Sequence, residues 1–241
     1  MRLLFIRHGD PDYEHDCLTE KGITEAKFLA ERMAKEKLDE IYVSPLGRAQ
    51  QTASYTLNAI NRKGITEEWL KEFDPQIMRP DCKEHRMGCW DWHPKDWTQY
   101  EEFYDLKKWK DNSILKEGNV KERYDWVCHH FDALLESKGY TFNGKYYKVS
   151  DESHDTLCFF CHFGVECVIL SHMLGLPFMP FIHGFACNPT GVTEVYSQEV
   201  EKGIANFRIT MYGDLSHLYI HNEEPSFTGR YCECYSDPQR H

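Results

Sequence analysis

The sequence predicts an α/β fold with three α/β/α layers, a mainly parallel central sheet and a cap insertion of helices and aromatic residues. Short apolar runs typical of buried strands alternate with amphipathic helical patterns in about the first 60 residues and again from residue 156. Between about residues 75 and 115 this alternation gives way to a segment rich in Trp, His and charge. We therefore expect a single domain over residues 1–241, with this segment as a cap over the sheet.

The first quarter of the chain carries the clearest alternation. Its first strand is the apolar run Leu3–Ile6, and after a polar loop Thr19 is the expected N-cap of an amphipathic helix. A second strand at Glu40–Val43 leads through Ser44-Pro45 into a second helix at about residues 46–60. This order of strand, helix, strand and helix indicates βαβ units and a parallel sheet.

The second half of the chain returns to the same pattern. Its elements are a helix at about 120–137, a strand at Thr156–Cys161, a helix at about 165–174 and strands at about 192–197 and 207–212. Asn143-Gly144 lies between two short β-type runs and predicts a hairpin at about 140–150. We expect this hairpin to be a small excursion from the main domain.

The composition is that of an ordinary soluble globular protein, with 41% hydrophobic and 28% charged residues. The formal net charge of −11 argues against a nucleic-acid partner, because a phosphate backbone requires a basic surface. The first residues lack the pattern of a signal peptide, and no apolar run approaches the roughly 20 residues that span a bilayer. We therefore expect a cytoplasmic protein with neither a membrane nor a nucleic-acid partner.

The ten cysteines do not indicate a disulfide framework, because they are scattered through a long chain without an export signal. Four of them lie among apolar residues and are expected in the core: Cys158, Cys161, Cys167 and Cys187. A zinc site formed by Cys232, Cys234 and His241 is a weaker alternative, because a second paired motif is lacking.

Chemically useful side chains follow several predicted elements on the same side. His8 comes directly after the first strand and Arg7, and His162 comes directly after a later buried strand. Arg48 opens the second helix, and Glu72 follows a short apolar piece. The carboxyl ends of parallel strands meet at one edge of a sheet, so we expect these side chains to converge there.

This set of residue types suits a tetrahedral oxyanion such as phosphate, because guanidinium groups offer forked donors to its oxygens. Each residue alone also has a purely structural explanation. Arg48 could form a salt bridge, His162 could be a hydrogen-bonded core residue, and Glu72 could be a solvated charge. Coincidence explains the whole set much less well than it explains any one member.

Three segments, in this order, resemble the histidine phosphatase superfamily, which is also called the phosphoglycerate mutase-like family. They are Arg7-His8-Gly9, the run Ser44–Ala53 with the sequence SPLGRAQQTA, and His162 after its strand. The segments Leu18–Gly22, Leu70–Glu72 and Asp214–Leu218 also match the family's usual pattern. The resemblance covers nearly the whole chain, and the cap and the hairpin are its less familiar parts.

The resemblance implies hydrolysis of a small phosphorylated metabolite, a phosphomonoester, through a covalent phosphohistidine intermediate. In this mechanism His8 would attack phosphorus, and Arg7, Arg48 and His162 would hold the phosphoryl oxygens. Glu72 would protonate the leaving oxygen and later activate water. No metal and no other cofactor is expected, since the arginines already supply positive charge.

The neighbourhood of the nucleophile suggests how substrates are selected. Gly9 would let the backbone approach a ligand closely, and Tyr13 would lie beside the site. Cofactor-dependent mutases usually carry an Asn and a Trp where this chain has Asp10-Pro11-Asp12-Tyr13, which favours a phosphatase. Asp10 and Asp12 would place carboxylates at the mouth of the site and select against highly anionic substrates. Phe163 stands where the family often has Gly and could narrow the pocket.

The cap offers further candidate substrate contacts: His85, Arg86, Trp90 and Trp92. For the two tryptophans, packing in an aromatic mini-core is at least as good an explanation.

Two other functions stay open on the sequence. A cofactor-dependent phosphoglycerate-type mutase would be detected by a coupled assay with phosphoglycerate. A non-catalytic protein of the same fold that binds phosphorylated ligands would be excluded by turnover of a generic aryl phosphate. The intact set of His8, Arg7, Arg48, His162 and Glu72 argues against the latter.

Overall fold

The computed structural model describes residues 1–228 and 235–236. Its strands are β1 (Arg2–Arg7), β2 (Pro11–Asp12), β3 (Cys17–Leu18), β4 (Glu40–Val43), β5 (Ile65–Thr66), β6 (Gln76–Ile77), β7 (Met87–Gly88), β8 (Tyr140–Phe142), β9 (Tyr147–Val149), β10 (Thr156–Cys161), β11 (Val192–Glu201) and β12 (Ile204–Asp214). Its α-helices are α1 (Glu20–Met33), α2 (Gly47–Ala59), α3 (Pro94–Trp97), α4 (Ser113–Glu117), α5 (Val120–Ser137), α6 (Phe163–Leu174), α7 (Phe178–Gly184) and α8 (Ser216–Tyr219). Among the described residues, no helix combines the length and the apolar character needed to cross a membrane.

Eight strands form one mixed sheet in the order β5-β4-β10-β1-β11-β12-β9-β8. The strands from β5 to β1 are parallel to one another, and the strands from β11 to β8 continue the sheet in antiparallel fashion. The predicted α/β class is confirmed. The last two strands extend beyond their predicted bounds, because β11 and β12 form one long hairpin that turns at Gly203, whose φ is +85°.

Hydrophobic clusters on opposite faces of the sheet create the layers. Leu4 and Ile6 of β1 share one cluster with Leu29 of α1 and with residues of α2. Leu3 and Phe5, which alternate with them along the strand, belong to the other cluster together with residues of α5 and α6. β1 is therefore buried on both faces, as its uninterrupted apolar sequence predicts.

The predicted β-hairpin forms, with Gly144 at a φ of +82° in its turn. It is the edge of the main sheet rather than an excursion from it, because β9 pairs with β12. Buried aromatic rings explain the difference. Tyr140 and Tyr147 lie 5.9 Å and 4.9 Å from the ring of Phe207, so the hairpin buries one face against the domain.

The cap segment from about residue 75 to 115 packs on the same cluster as α5 and α6. The expected aromatic helical segment consists of short helices and 3₁₀ turns, which cover Glu101–Tyr104 and Lys108–Asp111. The Trp92 ring lies edge-on to Phe103 at 5.6 Å, and Trp109 lies 5.2 Å from Phe178 of α7. Large buried rings therefore anchor the cap where regular secondary structure is short.

Candidate active site

The ends of β1 and β10 place the two site histidines side by side. The strands pair in parallel with Arg7 opposite Cys161, so the next residue of each strand is a histidine. The backbone N–H of His8 donates to the Cys161 carbonyl at 3.1 Å. The rings of His8 and His162 are 5.0 Å apart between centroids. The structure thus brings these residues together at the edge where the strand pattern predicts them.

The contacts of the His8 ring define its tautomer. Its Nδ1 lies 2.7 Å from the Gly9 carbonyl oxygen, which can only accept, so the imidazole proton lies on Nδ1. Its Nε2 then carries the lone pair, and Arg48 Nε donates to this atom at 3.3 Å. Burial and, to a smaller extent, the Arg7 charge lower the pKa of His8 well below its usual range. The ring is therefore neutral near neutral pH, and its Nε2 carries a lone pair.

His162 is buried, and its ring contacts the protein through Nε2, whereas the His8 ring does so through Nδ1. Its Nε2 lies 2.8 Å from Ser44 Oγ, and that hydroxyl also accepts the Leu46 N–H at 3.3 Å. In the tautomer with its proton on Nδ1, the ring accepts the Ser44 hydroxyl proton at Nε2 and keeps Nδ1–H as a donor. Within the described part of the chain, Nδ1 has no hydrogen-bond partner. Burial lowers the pKa of His162 well below its usual range, so the residue offers a neutral N–H donor.

Both arginines lie at the site, and each is held by a fixed partner. Arg7 Nη1 donates to the Cys187 carbonyl at 2.5 Å, while its buried Nε has no partner among the described residues. Arg48 Nη1 forms an ion pair with Asp16 at 2.6 Å. The other carboxyl oxygen of Asp16 accepts the Gly47 N–H at 2.6 Å, at the first residue of α2. The salt bridge considered for Arg48 therefore exists, and it orients the guanidinium toward His8.

Glu72 lies next to the start of α6. Its Oε1 accepts the backbone N–H groups of Phe73 at 2.8 Å and Val165 at 3.2 Å. Burial raises the pKa of Glu72, although the charges of Arg7 and Arg48 oppose the shift. A carboxyl with a raised pKa can hold a proton near neutral pH, as a general acid requires. Glu72 is therefore a buried, hydrogen-bonded carboxyl at the site rather than a solvated charge.

Two further predicted residues lie beside this group. Tyr13 is exposed, and its ring lies 5.3 Å from the Arg48 guanidinium and 6.4 Å from the His8 ring. Trp90 of the cap reaches the same place, since a Cβ added at Gly164 would lie 2.7 Å from both the Trp90 ring and Glu72 Oε1. Phe163 is buried as the first residue of α6.

Gly9 allows a close approach between the segment after β1 and α1. A Cβ at this position would lie 2.8 Å from the carbonyl oxygen of Gly22 in α1. The Gly9 N–H is also occupied, because it donates to Thr52 Oγ1 at 3.0 Å. The position of the missing side chain is thus filled by α1, and the Gly9 N–H already has a protein partner.

The side chains of Asp10 and Asp12 have hydrogen-bond partners other than His8 and His162. The Asp10 side chain accepts from Thr19 Oγ1 at 2.7 Å and from the Ser226 hydroxyl. The Asp12 side chain pairs with His15 at 2.8 Å. Both side chains hold together the loop and tail segments around them, so local chain position was a poor guide to their direction.

Most of the cap residues predicted to contact substrate instead contact other groups of the protein. Arg86 Nη1 donates to the Gln76 carbonyl at 3.2 Å, and exposed His85 lies 3.9 Å from Cys82 Sγ. Trp92 is buried, and its indole N–H donates to the Cys89 carbonyl at 3.1 Å. The mini-core explanation therefore holds for Trp92, while Trp90 is the member of the set that reaches the site.

Sequence reasoning missed two residues whose hydrogen bonds support the segment around His8 and the side chain of Arg48. One is Asp16, the partner of Arg48. The other is Thr190, whose backbone N–H donates to the carbonyls of Arg7 and His8, both at 3.1 Å. His217 Nε2 in turn contacts Thr190 Oγ1 at 2.9 Å. The Asp214–Leu218 motif was the available signal, because it contains His217.

Glu166 is a second buried carboxyl, located in the first turn of α6. Burial raises the pKa of Glu166 to about 7. It lies behind the site, where the Arg7 and Glu72 charges act on it.

One group in the cap has the donor atoms of a metal site. Ligand atoms of Asp81, His93 and Asp96 lie within 4.8 Å of one another. Arg79 forms an ion pair with Asp81 at 2.7 Å, and this hydrogen-bonded partner lowers the pKa of Asp81 to about 2. An ion pair thus already neutralises the Asp81 carboxylate. The weaker zinc candidate, Cys232 with Cys234 and His241, lies outside the described residues.

Solved structures share this fold across most of the chain. A variant of phosphoserine phosphatase from Entamoeba histolytica, in complex with phosphoserine, has a TM-score of 0.56 at 19% identity and covers 90% of this chain and 98% of that chain. Mycobacterial glucosyl-3-phosphoglycerate phosphatase with inorganic phosphate has a TM-score of 0.57 at 18% identity, with coverages of 90% and 98%. Identities this low support the fold alone.

A curated relative, phosphoserine phosphatase 1 of Hydrogenobacter thermophilus, is 32% identical over 83 residues. The match covers 31% of this chain and 39% of the relative, so the chain spans about two fifths of the curated relatives it matches. The family model described as histidine phosphatase superfamily (branch 1) extends much further and matches residues 3–210. A match of that extent shows that the chain belongs to the histidine phosphatase superfamily.

Proposed function

We propose that the protein hydrolyses a small phosphomonoester through a covalent phosphohistidine on His8. The observation that carries the proposal is the state of the His8 ring. Its Nδ1 is tied to the Gly9 carbonyl at 2.7 Å, and its Nε2 lone pair is left facing Arg48 and His162. A fixed neutral imidazole between cationic and N–H donors suits attack on phosphorus.

In the first step the lone pair of His8 Nε2 forms a bond to phosphorus, and the bond from phosphorus to the ester oxygen breaks. Glu72 gives its proton to the departing oxygen, which leaves as an alcohol. Arg7, Arg48 and the Nδ1–H of His162 stabilise the charge on the phosphoryl oxygens. In the second step water attacks phosphorus while Glu72 takes a proton, and inorganic phosphate leaves His8.

The relatives support a small phosphorylated metabolite as substrate, since their names specify phosphoserine and glucosyl-3-phosphoglycerate. The runner-up remains a phosphoglycerate-type mutase. The segment after Gly9 argues against it, because Asp10-Pro11-Asp12-Tyr13 replaces the Asn and Trp usual in mutases. The proposed mechanism uses no metal, since side chains of this chain serve every step.

We also propose a cytoplasmic location. The cysteines of the described residues are all free thiols, which suits a reducing compartment. Several are deeply buried, and burial raises the pKa of thiols such as Cys158, Cys161 and Cys167.

The test is phosphoenzyme trapping in a buffer that contains EDTA. A ³²P-labelled phosphomonoester should label the wild-type chain in an acid-labile, base-stable form, and His8→Ala should lose both the label and turnover. His129→Ala, which removes an exposed histidine on α5, is the matched control and should keep both. An active His8→Ala protein would refute the mechanism, and phosphate transfer to phosphoglycerate in a coupled assay would favour the mutase.

A further inference from the structure

We propose that His217 is a positioning residue for the hydrolysis of phosphomonoesters, because it holds the backbone of Arg7 and His8 in place through Thr190. This inference rests on the proposed function, since it assigns the effect of His217 to the attack by His8. Thr190 lies in the turn at residues 188–191, which leads into β11, and His217 lies in the short helix α8. Hydrogen bonds connect these two residues to the end of β1.

The turn before β11 holds the end of β1 through main-chain atoms. The Thr190 N–H donates to the carbonyl oxygens of Arg7 and His8, both at 3.1 Å. The Gly191 carbonyl accepts the Arg7 N–H at 3.2 Å. Next to the turn, the Cys187 carbonyl accepts from Arg7 Nη1 at 2.5 Å. A shift of this turn would therefore move the backbone that carries the nucleophile and a guanidinium group that binds the phosphoryl oxygens.

Thr190 adopts a strained backbone conformation. Its φ is +58°, in the left-handed region that a β-branched residue rarely enters. Such conformations cost free energy and persist only where the surrounding structure holds them. Thr190 is fully buried, so its surroundings are protein groups. The turn therefore depends on the contacts of this one residue.

The Thr190 hydroxyl shows which contact holds the turn. It lies 2.7 Å from the Pro189 carbonyl oxygen, which can only accept, so the hydroxyl donates there. Its other partner is His217 Nε2 at 2.9 Å. A hydroxyl has one proton to give, so it must accept the second hydrogen bond. The proton of that bond therefore belongs to His217 Nε2.

His217 is buried and uses its ring proton on Thr190. Burial lowers the pKa of His217 to about 4, so the ring is neutral near neutral pH and carries one N–H. That N–H is on Nε2, and in the described ranges 1–228 and 235–236 the Nδ1 atom has no hydrogen-bond partner. Burying an imidazole for a single hydrogen bond is costly, and this bond is the one directed at the turn.

The helix that carries His217 is itself fixed. The Asp214 carboxylate accepts the N–H of Ser216 at 3.2 Å and its hydroxyl at 2.7 Å. The same carboxylate forms an ion pair with Arg32 of α1 at 2.5 Å. α8 is therefore tied to α1, and the Nε2–H of His217 is a donor in a fixed position.

These contacts form a continuous path from His217 through Thr190 to the carbonyls of Arg7 and His8. Loss of the His217 N–H would remove a donor from the Thr190 hydroxyl and let the strained turn relax. In the proposed mechanism His8 Nε2 must face phosphorus in line with the departing oxygen. A displacement of about 1 Å in a reacting group can cost on the order of 100-fold in rate. His217 thus affects the reaction without touching substrate.

The experiment measures kcat/KM for 4-nitrophenyl phosphate, well below the Tm of every variant. His217→Leu removes the donor and should lower kcat/KM by roughly 10- to 100-fold. His217→Gln can place an amide N–H where the imidazole Nε2–H lies, and it should stay within about threefold of the wild type. Tyr219→Leu changes an exposed residue of the same helix and should keep the wild-type value.

Substitutions of Thr190 test the path itself and serve also if His217→Leu does not fold. Thr190→Ser keeps the hydroxyl and should keep kcat/KM. Thr190→Gly tolerates the left-handed backbone and keeps the N–H, but it lacks the hydroxyl and should lower kcat/KM. Adding His217→Leu to Thr190→Gly should then cost less than about twofold more, because the two residues act as one unit.

Equal losses in His217→Leu and His217→Gln, or no loss in either, would overturn the proposal. So would a His217→Leu effect that is as large in the Thr190→Gly protein as in the wild type. If His217→Leu does not fold, equal kcat/KM values for Thr190→Ser and Thr190→Gly would overturn it. A wild-type protein that forms no phosphoenzyme on His8 would instead overturn the proposed function, so the two failures are distinguishable.

Discussion

Replacing Glu72 by Gln tests the proton donor, because it keeps the shape of the side chain and removes only the acidic proton. Glu72 Oε1 accepts two backbone N–H groups, from Phe73 and Val165, and an amide oxygen in the same place can accept both. Burial raises the pKa of the wild-type carboxyl, so a neutral amide carries no cost of burying a charge. We therefore expect Glu72→Gln to fold as the wild type does.

The expected loss depends on the leaving group. A positioned general acid contributes roughly 10²–10⁴-fold, which equals about 3–5 kcal/mol of activation free energy. An alkyl phosphate releases a basic alkoxide and should show this whole loss. A 4-nitrophenyl phosphate releases a stabilised phenolate and should lose less than about tenfold.

The assay is kcat/KM for 2-hydroxyethyl phosphate and 4-nitrophenyl phosphate with both proteins. This parameter covers only the steps up to phosphoenzyme formation, so the later role of Glu72 as a base does not affect it. Glu68→Gln, at an exposed neighbour paired with Lys71, is the control. Equal slowing of both substrates together with a lower Tm would show that Glu72 is structural and that another carboxyl is the acid.

Two other substitutions test the packing and the electrostatics of the site. Gly9→Ala should cost roughly 1–3 kcal/mol of unfolding free energy and lower kcat, because its methyl group would lie 2.8 Å from the Gly22 carbonyl oxygen. The control is Gly184→Ala, which should cost far less because nothing lies within 4 Å of the added Cβ. Equal stability of the two variants would contradict this packing. The free energy of unfolding of Glu166→Gln should rise relative to that of the wild type as pH rises. Burial raises the pKa of Glu166 from 4.5 to about 7 in the folded state, so the wild type has its full stability below pH 4.5 and loses part of it as pH rises through 7. Denaturant titrations should show the difference growing by roughly 3 kcal/mol between pH 4 and pH 8, and a flat difference would mean that Glu166 is ionised in the fold without penalty.

The sequence predicted the convergence of the histidines and arginines because that convergence follows from parallel strands. His8 and His162 each follow a strand with an unbroken apolar run, Leu3–Ile6 in β1 and Leu157–Cys161 in β10, and the two strands pair in register. Side chains at the ends of such strands are placed by the sheet itself. Their position therefore depends on the strand pattern, which is visible in the sequence.

The direction of loop side chains could not be predicted in the same way. Asp10 and Asp16 lie in the same loop, yet Asp10 binds Thr19 and Ser226 while Asp16 holds Arg48. Which acid faces the site depends on contacts with residues far away in the chain. The contact of Gly9 with Gly22 is of the same kind, because it follows from the approach of α1 and not from the local backbone.

The pairing of β1 has a consequence for how the chain folds during synthesis. β1 lies between β10 and β11, so the partners of residue 2 are residues 156 and 196. Contacts this distant in sequence form late, because a long loop must close before they do. The apolar first strand must therefore leave the ribosome long before either neighbour exists. A chain arrested before residue 156 would expose this strand on both edges, and binding by chaperones is expected to be strongest at that stage.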